Sequence, residues 1–335
     1  MAGGYTHITL AQLAAEEALH RRPGLLHDEA RQALQDCLNF LVIGSMGPDY
    51  PYLDIADSTS EAWATAMHQP RCLELIRAYV RRIRQMSVGA QARRKCIAWL
   101  FGFASHCVTD GVVHPVVNMK VGPYEQNKTE HRRCEMSQDV LIHAKLNIGP
   151  IALNQQLSRF VAETTDSSGL RTRLDRDVAG LWTDALNAVF RKGQPRAASL
   201  TQFIFPWLDR SSSASGLTPP DPDEWQRAML RIMRLAESGG RLTPLARHAA
   251  VRSGLTYPEK PEEQYVRNLQ VPHQDKGMDF ELVFDKALGC VVEVWGHLSL
   301  SLQGKPSPLD SMVGWSLDTG YADGQQGSCN YMFWN

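Results

Sequence analysis

Residues 91–115 read QARRKCIAWLFGFASHCVTDGVVHP, and this stretch decides how the chain folds. It is almost entirely apolar after its first five residues, which predicts a helix at the centre of the molecule. Three polar side chains interrupt the apolar run at intervals of four residues, His106, Asp110 and His114. Residues four apart lie on one face of a helix, so His106 and Asp110 project together. We expect Pro115 to disturb the turn that follows His114.

The spacing of these polar residues favours a metal ion as their shared partner. An apolar helix holds an unpaired charge only at a high free-energy cost, although His106 and Asp110 could also form a simple ion pair. A second helix repeats the spacing in His131-Arg-Arg-Cys-Glu135. Its surroundings are polar, so this pair taken alone would be interpreted as a solvated helix face. Two such pairs on separate helices can meet around metal in a bundle core.

Three more candidate ligands lie upstream of this helix. His7 precedes the first predicted helix, Asp49 lies in the loop segment SMGPDYP, and His68 ends EAWATAMH. The whole set contains five histidines and three carboxylates, more than one tetrahedral zinc ion binds, so we expect more than one ion. Mixed histidine and carboxylate ligands without clustered cysteines are typical of a hydrolytic zinc site. Asp139 and His143 continue the spacing of the second helix, and we expect them to support the ligands or to lie at the surface.

The chain as a whole divides into a helical part and a part with strand-like patterns. Residues 1–250 contain several segments of helical periodicity, which predicts one helical domain. After residue 254, DFELVF and CVVEVWGHLSLSLQG alternate and are rich in Val, Leu and Phe, which favours strands. The predicted fold class is therefore a mainly α helical bundle, followed by a small β-rich domain at 254–335. We expect the tail NYMFWN to close the β core, with a place in a membrane interface as the alternative.

Composition limits the possible partners. The 335 residues are 43% hydrophobic and 21% charged, with a formal net charge of −1. The chain therefore lacks the excess of positive charge that would predict binding to nucleic acid. The sequence has no uninterrupted run of about 18 apolar residues, so we predict no membrane-spanning helix. Seven cysteines leave at least one unpaired within the chain, and most fall in helical patterns that favour a small buried thiol.

The ordered set GYTHITLA, GPDYP, His68, HCVTDGVVHP and HRRCE resembles the zinc-dependent phospholipase C family, which includes bacterial lecithinases and clostridial alpha-toxin. Fungal single-strand nucleases share a trinuclear zinc site on a similar helical fold. The resemblance covers residues 5–145 and implies a helical bundle with zinc at the bottom of a cleft. By position it implies one metal site of Asp49, His68, His106 and Asp110, a second of His114, His131 and Glu135, and a third that joins His7 to a bridging Asp110. Relatives complete the third site with a processed N-terminal residue and usually begin with Trp, so two or three zinc ions are expected here.

The activity that this resemblance implies is hydrolysis of glycerophospholipids to diacylglycerol and a phosphorylated headgroup. Phosphodiester hydrolysis needs a nucleophile at neutral pH and cations beside the charged oxygens, and zinc ions supply both. Asp49 or Glu135 can orient the attacking water or accept its proton. Tyr50, next to Asp49, and Tyr5, near His7, are candidates to line the substrate cleft, with a packing role as an equally favoured alternative.

The resemblance to alpha-toxin extends by architecture to a C-terminal sandwich that binds calcium and lipid. Loop acids of this region could hold calcium, although such residues usually only solvate turns; they are Asp275, Asp279, Asp310, Asp318 and Asp323. The expected partner is a phospholipid membrane surface, and no nucleic acid is expected. The N terminus lacks the pattern of a signal peptide. Because an unrestrained phospholipase would endanger its own cell, we still expect secretion, with a cytoplasmic location as the alternative.

Two other functions remain open from the sequence. The first is a zinc phosphodiesterase that acts on single-stranded nucleic acid, for which the segments RRIRQ and QARRK could supply a positive groove. Such runs are more often solvated helix faces. The second is a lipid-binding module that is stabilised by zinc and has no enzymatic activity, although a scaffold does not need so many ligands.

Overall fold

The computed structural model describes residues 2–54, 58–147, 156–166, 172–191, 217–238, 255–323 and 330–334. This part of the chain is mainly helical, which confirms the predicted α class. In chain order the α-helices are α1 (Gly4–Glu16), α2 (Asp28–Asp36), α3 (Leu38–Gly44), α4 (Ser58–His68), α5 (Cys72–Ile83), α6 (Gln91–Val121), α7 (Lys128–His143), α8 (Gln156–Glu163), α9 (Arg176–Leu186), α10 (Pro222–Ser238), α11 (Glu263–Val266) and α12 (Phe280–Leu302). Short 3₁₀ helices connect several of them, and the longest spans the seven residues Gly47–Leu53.

Helix α6 is the central element, as its apolar sequence predicts. It packs against α3, α12, α2, α5 and α9, and nearly all of its residues from Cys96 to Val117 are buried. By length and hydropathy it could cross a membrane, but its most apolar window is wholly buried inside the protein. The helix passes this test on mean hydropathy, although His106 and Asp110 prevent an uninterrupted run of 18 apolar residues. Its burial is that of a core helix.

Pro115 lies inside α6, which continues for six more residues to Val121. The predicted disturbance therefore does not end the helix. Proline cannot donate to the carbonyl one turn earlier, so the oxygen of Gly111 is free of that helical bond. Gly320 packs directly on this point, where a Cβ atom would come within 2.5 Å of the proline ring and 2.7 Å of the Gly111 oxygen. Its φ of +72° also belongs to the left-handed region.

The prediction of strands for 280–302 is wrong, because these residues form the single helix α12. Their buried side chains recur at intervals of three and four residues, the period of a helix: Phe280, Phe284, Ala287, Val291, Trp295, Leu298 and Leu302. The LSLSL alternation covers only the last five residues and does not outweigh this stripe. The indole nitrogen of Trp295 donates to the Phe101 carbonyl at 3.0 Å and so ties α12 to α6.

The described residues of the C-terminal region contain isolated β-bridges and no strand. The predicted domain boundary at 250–254 lies outside the described residues, but α12 and the tail share one hydrophobic core with α6. Trp334 is buried, and its indole nitrogen donates to the Val112 carbonyl at 2.9 Å. The tail thus packs into the core, as expected, but the core is helical. Among the described residues, the cysteines are free thiols and mostly buried; Cys329 lies outside them.

Candidate metal centre

Four separate stretches of the chain bring buried histidines and carboxylates to one place. α1 supplies His7, the 3₁₀ helix Gly47–Leu53 supplies Asp49, and His68 is the last residue of α4. The remaining members of this group are His106, Asp110 and His114, all from α6. All six residues are at least 93% buried. The spatial convergence that the sequence predicts for these residues is therefore present.

Asp110 lies at the middle of the group. Its Oδ1 atom lies 3.2 Å from Nε2 of His7 and 3.3 Å from Nε2 of His114. Its Oδ2 atom lies 3.2 Å from Nε2 of His106 and 3.7 Å from Nε2 of His68. One carboxylate thus faces four imidazoles, an arrangement in which it can bridge two cations.

Asp49 contacts two of the same histidines. Its Oδ1 atom lies 3.3 Å from Nε2 of His68 and 3.9 Å from Nε2 of His106. Two overlapping groups result, each with ligand atoms within 4.8 Å of one another: His7, Asp49 and His106, and His68, His106 and Asp110. In the described residues these are the groups of three or more that could hold a metal ion.

A close crossing of α3 and α6 orients His106. A Cβ atom on Gly102 would lie 2.1 Å from the Leu41 carbonyl oxygen, and one on Gly44 would lie 2.6 Å from the Trp99 oxygen. These glycines therefore let the two helix backbones approach closely. The approach brings the carbonyl oxygen at the end of α3, on Ser45, to 2.8 Å from Nδ1 of His106.

Hydrogen bonds to the backbone decide which ring nitrogen faces the centre. Nδ1 of three histidines lies at hydrogen-bond distance from a carbonyl oxygen: His68 with Ala64, His106 with Ser45, and His114 with Leu317. A carbonyl only accepts, so Nδ1 must carry the proton, and Nε2 of the neutral ring presents a lone pair. That lone pair faces a carboxylate oxygen. Two acceptors in contact need a proton or a cation between them.

The nitrogen and oxygen atoms that face this centre are suited to bind a cation. Nε2 of His7, His68, His106 and His114 has no hydrogen-bond partner in the described residues, and the same holds for one oxygen each of Asp49 and Asp110. Buried polar atoms without partners are rare and costly. Imidazole with carboxylate is a donor set that suits zinc, and a backbone hydrogen bond on the second ring nitrogen is typical of metal-bound histidine.

The charges of the group keep its carboxylates ionised. Burial opposes ionisation of Asp110, but His114, His106 and His7 together hold its pKa well below the usual range. Burial likewise opposes ionisation of Asp49, and His106 and the close contact with His68 lower its pKa. Burial lowers the pKa of His114 to about 4, so this ring is neutral at pH 7. Ionised carboxylates and neutral imidazoles are the forms that bind metal.

The second predicted pair lies beside this group on α7. Nδ1 of His131 is 3.8 Å from Oε1 of Glu135, and Nε2 of the same ring lies 2.7 Å from the Gly122 carbonyl oxygen. His131 therefore turns Nδ1, and not Nε2, toward its carboxylate. The charge of Glu135 acts on His114, which connects the pair to the larger group. Both residues are 1% exposed, so the alternative weighed for this pair taken alone, a solvated helix face, does not hold.

A family model described as zinc dependent phospholipase C matches residues 6–198, more than half of the chain. The chain belongs to this family. The match begins one residue before His7 and includes every candidate ligand. No curated protein and no solved structure shows a significant match. Family membership supports zinc as the metal and a phospholipid as the class of substrate.

The two predicted substrate contacts of this phospholipase C family member are fully buried. Tyr50 packs against Trp99 and Trp182, and Tyr5 packs against His143 and Tyr257. Both tyrosines are 0% exposed, so in this structure neither lines an open cleft. A role for them in substrate binding stays a prediction, and their geometry favours the packing alternative.

Two half-buried tyrosines that sequence reasoning missed lie at the metal centre instead. The ring of Tyr52 lies 5.5 Å from that of His68, and the ring of Tyr124 lies 5.3 Å from that of His131. Both are partly exposed. Tyr52 follows Asp49 by three residues in the same 3₁₀ helix, and this spacing is the signal that could have revealed it.

Asp139 supports the first turn of α1, which carries His7. Its carboxylate accepts hydrogen bonds from the backbone nitrogens of Tyr5 and Thr6, from the Thr6 hydroxyl and from the Tyr257 hydroxyl, at 2.6–3.3 Å. Gly3 lies so close that a Cβ atom there would come within 2.2 Å of this carboxylate. The supporting role predicted for Asp139 is consistent with these contacts.

The five acids proposed for calcium have other surroundings. Asp279 pairs with Arg267 at 2.9 Å, and Asp310 accepts from the Ser307 backbone nitrogen in a capping box. In the described part of the chain, neither of the two metal-compatible groups contains Asp275, Asp279, Asp310, Asp318 or Asp323. The calcium site stays a prediction without support from these contacts.

Proposed function

We propose that this chain is a zinc metallophospholipase C that hydrolyses the glycerol-side phosphodiester bond of glycerophospholipids, releasing diacylglycerol and a phosphorylated headgroup. The observation that carries the proposal is the group of buried, unpartnered ring nitrogens and carboxylate oxygens around Asp110. The family match to zinc-dependent phospholipases C supplies the class of reaction.

The proposed ligands are the residues that converge in the structure. We assign zinc binding to His7, Asp49, His68, His106, Asp110, His114, His131 and Glu135. Two or three ions suit a set of this size, because one tetrahedral zinc ion takes only four ligands. When bound, zinc lowers the pKa of water and neutralises charge on phosphate oxygens.

The chain itself supplies orientation and proton handling. Asp49 and Glu135 remain ionised, since their histidine and arginine neighbours lower their pKa values against the effect of burial. An ionised carboxylate can hold an attacking water by its hydrogen and later accept that proton. Tyr52 and Tyr124 border the centre and are partly exposed, so we assign them contacts with the headgroup region.

The arginine-rich segments do not favour the nuclease alternative. Arg93 pairs with Glu29, Arg94 with Asp36 and Lys95 with Asp175. These residues precede His106 by at least eleven positions on the same helix, which places them roughly 16 Å or more away along its axis. Their charges therefore stabilise the other end of α6, and they do not form a groove beside the metal group.

The test is to assay the purified, zinc-loaded protein on phosphatidylcholine vesicles, phosphatidylethanolamine vesicles and single-stranded DNA. We expect diacylglycerol and a phosphorylated headgroup from at least one lipid, and no product from DNA. A variant Asp110→Asn serves as the control for contaminating activity. Cleavage of DNA without cleavage of lipid would contradict the proposal, and an inert protein that holds zinc stoichiometrically would favour a binding module. Secretion stays a prediction.

A further inference from the structure

In sequence, Arg132 lies between the two candidate ligands of α7, His131 and Glu135. Its Nη1 atom donates to Oε2 of Glu135 at 3.1 Å, while Oε1 of the same carboxylate faces His131. The side chain of Glu135 is 1% exposed, so this contact places one end of the guanidinium beside the metal centre. Arg132 itself is 22% exposed, which leaves one part of it open to an incoming ligand.

The neighbouring Arg133 shows what a surface arginine of the same helix does. Its Nη1 atom pairs with Oε1 of Glu130 at 3.3 Å, and the two side chains are 48% and 46% exposed. Such an exposed pair contributes little to stability. The two residues are both arginines and are neighbours on one helix, so they differ only in their surroundings.

One edge of the Arg132 guanidinium has a donor without a partner. Its Nε atom is buried and has no hydrogen-bond partner in the described residues. Leaving a buried donor unsatisfied is unfavourable, and more so for a charged group. Nε and Nη2 form the side of the guanidinium fork that matches two oxygens of a carboxylate or phosphate. Since Nη1 is held by Glu135, this edge remains for an anionic ligand.

We propose that Arg132 is a substrate-binding residue that donates from its Nε edge to a non-bridging oxygen of the phosphoryl group undergoing hydrolysis. The identity of the diester rests on the proposed function, whereas the contact with a phosphoryl oxygen does not. Negative charge increases on the non-bridging oxygens as the nucleophile adds to phosphorus. A donor already fixed by Glu135 stabilises that charge without reorganising.

The experiment compares Arg132→Gln and Arg132→Lys with the matched control Arg133→Gln. Zinc content, calorimetric binding of inorganic phosphate to the zinc-loaded protein, and initial rates on phosphatidylcholine vesicles are measured for each. For Arg132→Gln we expect unchanged zinc, a phosphate Kd raised about tenfold and a kcat/KM lowered on the order of 100-fold. Arg132→Lys recovers part of both losses because it keeps the charge but not the fork. Arg133→Gln behaves like the unsubstituted protein.

Two results would overturn the inference. One is a zinc-loaded Arg132→Gln protein that binds phosphate with unchanged Kd. The other is loss of zinc in both Arg132 variants, which would show that the side chain only positions Glu135. If Arg132→Gln does not fold, the phosphate Kd of Arg132→Lys decides in the same way. A protein that cleaves no lipid, yet needs Arg132 to bind phosphate, would uphold this contact and contradict the phospholipase function.

Discussion

The two ends of α6 both hold charged side chains away from water, but they satisfy those charges differently. Near the N-terminal end, Nε of Arg93 contacts both carboxylate oxygens of Glu29 at 3.0 Å, and its Nη1 donates to the carbonyls of Ile83 and Met86. Near the C-terminal end, the Nε2 atoms of the histidines around Asp110 have no such partner within the described residues.

This difference separates structural charges from functional ones. Arg93 and Glu29 complete each other, so folding alone satisfies that end of the helix. The carboxylate of Asp110 faces four imidazoles whose lone pairs also point inward. The backbone nitrogen of Ala2 donates to its Oδ1 at 3.0 Å, but Oδ2 and the four Nε2 atoms have no hydrogen-bond partner in the described residues. Folding therefore creates a site that only protons or cations can complete. One end of α6 thus takes part in a complete ion pair, and the other end in an incomplete cation site.

The largest effect is expected from Asp110→Asn, which removes the charge that faces four histidines. The amide keeps the shape but cannot bridge cations, so zinc and activity should both be lost. We expect the fall in kcat/KM to exceed the roughly 10- to 100-fold loss that follows removal of a group supporting a metal ligand. Elemental analysis and turnover measure the two effects.

The matched control for this substitution is Arg94→Gln, on the same helix but paired with Asp36 at 3.5 Å and partly exposed. It should leave zinc content and kcat/KM unchanged. If Asp110→Asn kept stoichiometric zinc and full turnover, the contrast between the two ends of α6 would have no functional meaning.

The next largest effect is expected from Arg93→Met at the other end. This change leaves the largely buried Glu29 without its charged partner, since the two side chains are only 5% and 14% exposed, and only the Gly89 backbone nitrogen still donates to it, at 2.9 Å. Breaking a buried pair costs about 3–5 kcal/mol, whereas replacing both partners by apolar residues costs less. Urea unfolding should therefore show a loss of this size for Arg93→Met, and a smaller one for the double variant Arg93→Met/Glu29→Met. Zinc content per folded molecule should not change in either.

Helical spacing in the sequence is enough to predict that the candidate ligands of α6 and those of α7 each share one helix face. His106, Asp110 and His114 recur every four residues within an apolar run, and no other common pattern explains that placement. His131 and Glu135 repeat it. The inclusion of His7 among the candidate ligands follows from the resemblance to the phospholipase C family and not from periodicity.

The sequence does not predict what depends on packing between distant segments. Short windows of α12 satisfy the period of a strand because they are apolar and rich in β-branched residues, and its helical period emerges only over the full length that packs on α6. Tyr50 stands next to a ligand in sequence, but the 3₁₀ helix turns it into a tryptophan cluster and leaves Tyr52 at the centre. Likewise, only the fold distinguishes Arg132 from Arg133.

The metal-free protein should show opposite pH dependences for two histidines of the centre. Burial lowers the pKa of His114 to about 4, so its unfolded form takes up a proton first and stability falls as pH drops from 6.5 toward 4. Burial also lowers the pKa of His68, but the Asp49 carboxylate 3.3 Å away outweighs burial and raises this pKa to about 9. The stabilisation from His68 is complete below pH 6.5 and is lost as pH rises through about 9.

Urea unfolding in chelator across this pH range tests both signs. His114→Gln should flatten the acid limb and His68→Gln the alkaline limb, each by on the order of 2 kcal/mol. Added zinc should suppress both limbs near neutral pH, because the metal takes the place of the titrating protons. An acid limb that persists unchanged in His114→Gln would show that the incomplete end of α6 does not control acid stability.

The smallest effect is expected from Lys95→Gln, next to Arg93 on the completed end of α6. Nζ of Lys95 lies 2.6 Å from Asp175 and 3.8 Å from Asp177, but the pair remains partly exposed. Water screens such a pair, so its loss should cost about 1 kcal/mol or less, and 1 M salt should reduce the difference further. Asp175→Ala should cost more, because Asp175 also accepts from the backbone nitrogens of Asp177 and Val178 as the N-cap of α9. A larger loss for Lys95→Gln than for Asp175→Ala in urea unfolding would mean that the charge, and not the cap, stabilises this end of the helix.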